Sequence, residues 1–304
     1  MTSNIVINKK KTINIAILIL CFDRPDLLKK LLKILKYFNA KKIYISQDGY
    51  DGNNYEIKKR HTEVKILIKK INWTKTLKTN YFKKNLGKQV APPKGIDWFY
   101  KNVKKGIILE DDTLPSKSFF SYCDILLKKH QKDKKIFQIC GTGTLNKGFG
   151  NITYISSVPW MHGWATWRNR WKNYSYKIKN LKKLSKNKNF KKNVPFFFGR
   201  LYWLSLFKNF TLGKHKTWDY TIVNDCLTKN LGCLKPSFNM ITNIGYKNKN
   251  VLSKRKRVEV KEFEHLKNRN NNYFLEKSFE CWILYNLSIR YRLTLFLKYI
   301  LKLI

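Results

Sequence analysis

Two runs of apolar residues, 13–20 and 106–109, most constrain what this chain can fold into. Neither run alternates apolar with polar residues, as a strand with one face in water does. Continuous β-prone runs of this kind are typical of parallel strands that helices cover on both faces. The sequence therefore predicts the α/β class, with a mostly parallel sheet flanked by helices.

Strand and helix signals alternate along the first half of the chain. Leucines at helical spacing after Pro25 predict a helix, and a loop is expected at residues 85–88. Further helices are expected at residues 95–103, 118–130 and 218–233, and further strands at 42–46, around 64–68 and at 137–140. A segment rich in Lys and Asn, residues 180–193, is expected to be an exposed loop or insertion.

The composition is strongly basic, with a formal net charge of +44, yet 43% of the residues are hydrophobic. That apolar content excludes a disordered polycation. The charge favours partners that carry phosphate, and nucleic acid, anionic lipid and nucleotide-sugar all qualify. Much of it is also expected of an ordinary solvated surface.

The six cysteines include no C-x-x-C pair, which favours a reduced, cytoplasmic protein. The first apolar stretch, residues 13–22, is too short to span a bilayer and has no small-residue cleavage site after it. It is therefore interpreted as a buried strand.

Polar residues follow three of the predicted strands. They are Arg24, Asp48 and the triplet Glu110, Asp111 and Asp112. Ligands of parallel sheets collect at the carboxyl ends of strands. Adjacent carboxylates repel each other unless a cation compensates them, so the triplet indicates a hard divalent ion, Mn²⁺ or Mg²⁺. A solvated acidic turn that caps the next helix is the alternative.

The triplet lies in a segment, residues 107–116, that resembles the metal-binding segment of GT-A fold glycosyltransferases. It is most similar to the N-acetylglucosaminyltransferase I family and related bacterial nucleotide-diphospho-sugar transferases. The similarity extends, in order, to residues 21–25, 46–49, 163–164, 218–219 and 243–245. It spans residues 13 to about 246 and implies a GT-A (Rossmann-like) fold. The segment between Trp167 and Trp218 is longer than in the animal enzymes, which leaves donor sugar and acceptor open.

The resemblance also implies roles for individual residues. Arg24 would contact the nucleotide, and Asp48 would accept a hydrogen bond from uracil. Asp112 would be the direct metal ligand, with Glu110 and Asp111 nearer the ribose and the sugar. An ordinary surface Arg and an ordinary Asp-Gly turn are the alternatives for the first two residues.

Other candidates for donor binding are less specific. Lys88 lies in a Gly-containing loop and can meet a diphosphate, although most lysines are solvated surface. Gly163 and Trp164 belong to the resembling segments, and the rings of Trp160, Trp164 and Trp218 suit either sugar stacking or the core. His162 suits a metal ligand, a base or packing.

Asp219 is the candidate catalytic base. Transfer with inversion needs a base on the acceptor side, and the metal-bound acids face the leaving group instead. Asp124 and Asp133 lie in or near a predicted helix, which leaves Asp219 and Asp225. The related transferases have their base in a similar Trp-Asp pair. A plain helix-capping role is the alternative.

The chain is divided into a catalytic domain, residues 1–256, and a basic helical tail, residues 257–304. Within residues 279–304 the polar residues recur every four positions, which predicts an amphipathic helix. Such a helix suits the headgroup region of an anionic bilayer, or a face of the catalytic domain or of a partner subunit.

These features favour a metal-dependent, inverting glycosyltransferase on the inner face of the cytoplasmic membrane. Its donor is expected to be a UDP-sugar, and its acceptor a bacterial surface glycan or lipid-linked saccharide. A nucleotidyltransferase would need a Gly-rich loop after the first strand, which residues 23–26 lack. A nucleic-acid-binding protein or metal-dependent nuclease is the alternative, but no specific nucleic-acid motif is present.

Overall fold

The computed structural model describes residues 12–143, 152–245, 267–268 and 289–301. The strands are β1 (Ile13–Cys21), β2 (Ala40–Gln47), β3 (Thr76–Tyr81), β4 (Lys105–Glu110), β5 (Thr113–Pro115), β6 (Ile136–Cys140), β7 (Ile152–Ser156), β8 (Trp164–Trp167), β9 (Gly232–Pro236), β10 (Ile241–Asn243) and β11 (Lys267–Asn268). In the described part of the chain, nine of them form one sheet in the order β11-β7-β9-β6-β8-β4-β1-β2-β3. β5 and β10 form a separate pair.

Helices cover both faces of this sheet. The described helices are α1 (Pro25–Tyr37), α2 (Tyr55–Lys69), α3 (Gly87–Asn102), α4 (Lys117–Lys129), α5 (Arg168–Trp171), α6 (Leu181–Leu184), α7 (Lys188–Asn193), α8 (Phe197–Thr211), α9 (Tyr220–Lys229) and α10 (Ile289–Ile300). The predicted α/β class is confirmed.

The central strand β1 explains why its sequence is continuously apolar. Ile17 and Ile19 belong to a core cluster with residues of α1, α2 and α4. Leu18 and Leu20 belong to a second cluster, on the opposite face, with residues of α3 and α9. Successive side chains of a strand point to opposite faces, so both sets must be apolar when both faces are covered.

The sheet is mostly parallel but mixed. Strands β3, β2, β1 and β4 are parallel, whereas β8 is antiparallel to its neighbours β4 and β6. β9 is parallel to β6 and antiparallel to β7. The antiparallel β8 brings a loop from the second half of the chain to the carboxyl ends of the first strands.

The strand expected around residues 64–68 is wrong, because these residues lie in α2. Val64 and Ile68 are one helical turn apart and fully buried, so they form the inner stripe of a helix. Asn54 caps that helix by accepting a hydrogen bond from the backbone N–H of Ile57 at 3.1 Å. The strand that follows, β3, is a largely polar edge strand. The loop expected at residues 85–88 also ends earlier, since α3 begins at Gly87.

The segment at residues 180–193 is not a simple exposed loop. It contains α6 and α7, and two of its three apolar side chains, Leu184 and Phe190, are buried against α8 and α9. Lysines such as Lys191 remain exposed on the outer side. Because Lys and Asn dominate the segment, its sequence did not reveal that Leu184 and Phe190 are buried.

The tail helix is described over α10 and Leu301, whereas the rest of residues 279–304 lies outside the described residues. α10 contacts α8: Leu295 is buried, and the ring of Tyr299 meets that of Phe197 edge to face at 5.3 Å. Its other face leaves large apolar side chains exposed: Leu293, Phe296, Leu297, Ile300 and Leu301. Among the described helices, none has the length and apolar character to cross a membrane.

Replacing Phe190 by Ala tests whether the Lys/Asn-rich segment belongs to the core. We expect the free energy of unfolding to fall by about 3–5 kcal/mol, because a fully buried ring is lost and a cavity remains. Lys191→Ala, on the exposed side of the same helix, should change it by less than about 0.5 kcal/mol. Equal denaturation midpoints for the two variants would contradict the burial of α7.

Candidate active site

The carboxyl ends of β1, β2 and β4 meet at one edge of the sheet. The register pairs Leu20 of β1 with Glu110 of β4, and Cys21 of β1 with Gln47 of β2. Residues that directly follow these strands are therefore neighbours in space. This topology brings together Arg24, Asp48 and the acidic triplet, as the sequence predicted.

Two further segments reach the same edge from the second half of the chain. β8 is antiparallel to β4 with Trp164 opposite Ile108, so His162, just before β8, lies near the acids. β10 pairs with β5, with Asn243 opposite Thr113, which places Asn243 beside Asp112.

Arg24 is the counter-ion of the triplet. Its Nη1 donates to Asp112 Oδ2 at 2.8 Å, its Nε donates to Asp111 Oδ2 at 3.3 Å, and its Nη2 donates to Asp111 Oδ1. The guanidinium is about two-fifths exposed, whereas the two carboxylates are almost completely buried. One cation therefore bridges two acids at the margin of the site.

Burial makes the ionised acids costly at this position. It raises the pKa of Glu110 to about 8, and the negative charges of Asp112 and Asp111 act in the same direction. It also raises the pKa of Asp111 to about 7, although the charge of Arg24 opposes that rise. A second cation near these carboxylates would thus be favoured electrostatically.

Asp112 has further partners on its other side. Its Oδ1 accepts from Asn243 Nδ2 and from Thr113 Oγ1, each at 3.3 Å. The backbone of Gly245 passes so close to Asp112 Oδ2 that a Cβ atom there would collide with it. Glycine at residue 245 leaves this carboxylate room.

Asp48 holds the start of α3. Its Oδ1 accepts from the backbone N–H groups of Gly49 and Leu86, both at 2.9 Å, and its Oδ2 accepts from Gly87 at 2.9 Å. A carboxylate at a helix N-terminus satisfies amides that have no partner inside the helix. Asp48 therefore has a structural role, beside any contact with a base.

Asp219 lies at the start of α9, and its Oδ1 accepts a hydrogen bond from Thr217 Oγ1. Its charge is among those that raise the pKa of Glu110, so the two acids are near each other. Asp225 instead pairs with Lys229 at 2.8 Å and lines a different cavity. Of the two aspartates that the sequence left open, only Asp219 lies in the candidate site.

His162 lies between these acids. Its Nδ1 is 3.2 Å from Asn243 Nδ2. Burial lowers the pKa of His162, while the charges of Asp112 and Asp219 oppose that change. The sequence alone did not predict that His162 contacts Asn243, because this contact depends on the pairing of β8 and β10 with other strands.

An open cleft of about 1060 Å³ joins most of these groups. Its lining includes seven of the sequence-predicted residues: Arg24, Asp48, Lys88, Glu110, Asp111, Trp218 and Asp219. Trp160, a candidate for sugar stacking, also lines the cleft. The lining further includes residues that the prediction did not assign to donor binding, among them Phe22, Phe82, His162, Tyr202 and Trp203.

Gly163 and Trp164 lie behind the cleft lining. Trp164 is fully buried, and its ring packs on Trp218 at 6.2 Å between centroids. Of its two sequence-based interpretations, the structure supports the core. Gly163 has a positive φ of 67°, and a Cβ there would collide with Ile241. Its observed role is the tight turn into β8.

Within the described residues, no group of three His, Cys, Asp or Glu side chains is arranged to hold a metal ion. Asp112 and Asp111 therefore do not form a complete cage from protein ligands alone. The predicted role of Asp112 as a metal ligand requires the remaining ligands to come from substrate or water.

Comparisons with known proteins add little. No protein-family model and no curated protein matches the chain. Among solved structures, HddC from Yersinia pseudotuberculosis is similar with a TM-score of 0.33 and 11% identity, covering 54% of this chain and 82% of that chain. A likeness this distant carries no argument about fold or function.

Proposed function

We propose that this protein is a metal-dependent glycosyltransferase of the GT-A type, which moves a sugar from a UDP-sugar donor to a hydroxyl of an acceptor. The observation that carries the proposal is one cleft that contains both an ion-paired acid cluster and a separate carboxylate, Asp219. The first can hold cations that neutralise a diphosphate leaving group, and the second can take the proton of a hydroxyl.

The lining of the cleft suits the nucleotide part of such a donor. It includes Phe22, Asp48 and Phe82, which directly follow β1, β2 and β3. Aromatic rings and a carboxylate acceptor suit a uracil base. Arg24 and Lys88 line the same cleft and offer positive charge to a diphosphate.

The acid cluster fits a divalent cation. Asp111 and Asp112 already hold one cation, the guanidinium of Arg24. Mg²⁺ is commonly bound by one or two carboxylates together with substrate phosphates, so the described residues need not supply a complete set of ligands. Asp112 would hold such an ion, which when bound supplies charge neutralisation to the leaving diphosphate.

Asp219 is proposed as the general base. Its carboxylate would take the proton of the acceptor hydroxyl as that oxygen attacks the anomeric carbon and the bond to the diphosphate breaks. Its position at the start of α9 and its bond from Thr217 hold it in one place. A single displacement of this kind inverts the anomeric configuration.

Asp219→Asn should reduce turnover by about 10²-fold, because the amide keeps the shape but cannot accept the proton. Donor affinity should stay within a few-fold. Asp225→Asn is the matched control, on the same helix and outside the cleft, and should keep normal turnover. Near-normal turnover of Asp219→Asn, or a product with retained configuration by NMR, would remove Asp219 from this role.

Asp112→Ala should weaken binding of UDP-sugar in the presence of Mn²⁺ by at least about ten-fold, because the ion loses its protein ligand. A chelator should have the same effect on the unmodified protein. Asp124→Ala removes an acid that pairs with Lys128 at 2.6 Å on the surface of α4, and should leave affinity unchanged. Calorimetry that shows no effect of chelator would refute the metal dependence.

We further propose that the protein acts in the cytoplasm, peripherally on the inner face of the cytoplasmic membrane, on a surface glycan or lipid-linked saccharide. The exposed apolar face of α10 supports this, together with the exposed cations Arg290 and Lys298 on the same helix. An apolar stripe with cationic edges binds anionic headgroup regions. α10 also contacts α8, which contributes Tyr202 and Trp203 to the cleft, so an acceptor in the membrane would be close to the site.

The double variant Leu293→Glu, Leu297→Glu should bind anionic liposomes at least about ten-fold more weakly, because two exposed apolar side chains no longer enter the bilayer. Its melting temperature should not change. Leu295→Ala, on the buried side, should do the reverse and lower stability while keeping liposome binding. Sedimentation with liposomes that is equal for the double variant and the unmodified protein would exclude α10 as the membrane contact.

A further inference from the structure

The side chain of Asn243 has a defined orientation. Its Oδ1 accepts a hydrogen bond from the backbone N–H of Gly245 at 2.8 Å, and its Nδ2 donates to the Asp112 carboxylate at 3.3 Å. If the amide were turned over, its NH₂ would face the Gly245 N–H and its carbonyl oxygen would face a carboxylate oxygen. Both contacts would be repulsive, so two independent neighbours fix which atom is the nitrogen.

This orientation determines the state of His162. The Asn243 Nδ2 has two hydrogens, and the second is directed to His162 Nδ1, 3.2 Å away. His162 Nδ1 must therefore be an acceptor. A neutral imidazole with an accepting Nδ1 carries its hydrogen on Nε2.

The position of His162 relates it to the reacting groups. Its partly exposed ring lines the cleft together with Glu110 and Asp219, while Asn243 joins it to Asp112. In the proposed function, Asp112 marks the diphosphate and Asp219 marks the acceptor hydroxyl. The transferred sugar then lies between these two groups, and the charges of both acids reach His162.

We propose that His162 donates a hydrogen bond from Nε2 to an oxygen of the transferred sugar, and that Asn243 is the positioning residue that sets this tautomer. The inference rests on the proposed function and adds a specificity-determining residue to it. It also excludes His162 as the general base, because Nδ1 is engaged by Asn243 and Nε2 already carries a hydrogen. Proton removal is thereby left to Asp219.

The tautomer is measured in the free protein by NMR of ¹⁵N-labelled histidine, with the His162 signals assigned by their loss in His162→Gln. We expect a neutral ring with hydrogen on Nε2. In Asn243→Asp, a carboxylate oxygen replaces the amide nitrogen, so hydrogen should appear on Nδ1. Hydrogen on Nδ1 in the unmodified protein overturns the inference, whether or not the protein is a glycosyltransferase and whether or not the variant folds.

The contact with sugar is measured by calorimetry with UDP-N-acetylglucosamine and UDP, both with Mn²⁺. His162→Ala should weaken binding of the nucleotide-sugar by roughly ten-fold and leave UDP unaffected, because one hydrogen bond to the sugar is lost. His162→Gln, whose amide places a donor near the position of Nε2, should recover most of the affinity.

The other outcomes are equally informative. Equal loss for UDP and UDP-N-acetylglucosamine, or no loss for either, overturns the sugar contact. Loss of Mn²⁺ binding in both variants, measured with metal alone, means that His162 is a metal ligand and also overturns it. If the unmodified protein binds UDP but none of its sugars, or neither ligand, the proposed function fails and the sugar contact with it, while the tautomer stands on its own measurement.

Discussion

The ion pairs of Arg24 with two adjacent buried acids, Asp111 and Asp112, are the constraint on which the site depends. Buried carboxylates are stable only where a cation or several donors face them. Arg24 provides that cation. It is also the N-cap residue of α1, and its backbone carbonyl accepts a hydrogen bond from the N–H of Leu28 at 3.1 Å. The buried leucines of α1 fix the helix on the sheet, so the packing of an apolar helix face sets the position of a charge.

The acids in and beside the cleft are held by different partners, so their chemistry differs. Asp48 faces backbone amides, Asp111 and Asp112 face Arg24, and Asp219 faces a hydroxyl. A carboxylate bound to amides or to a guanidinium is a poor proton acceptor, whereas one held by a single hydroxyl keeps lone pairs for a substrate. The chain has an excess of 44 positive charges, and the roles of these few acids differ because their hydrogen-bond and ion-pair partners differ.

The sequence predicted those parts of the fold and site that depend on local pattern. Strands β1, β2, β4 and β6 were evident because each carries buried apolar residues, and Arg24 and Asp48 because they follow such strands directly. β3 was missed because an edge strand exposes polar side chains, and α2 was misread because two buried residues four positions apart resemble a short strand. The contact between His162 and Asn243 could not be predicted, because it requires the antiparallel β8 and the pairing of β5 with β10.

That last pairing has a consequence for how the protein matures. β5 and β10 join residues 113–115 to residues 241–243, so Asp112 acquires its amide partner only when a distant part of the chain has arrived. Contacts between segments far apart in sequence form late, since their loop must close first. During synthesis from the N-terminus, the first four parallel strands can therefore assemble with Arg24 and the acids already paired, well before the cleft is complete. The ion pair with Arg24 would then compensate the charge of the buried carboxylates while the rest of the chain is still being synthesised.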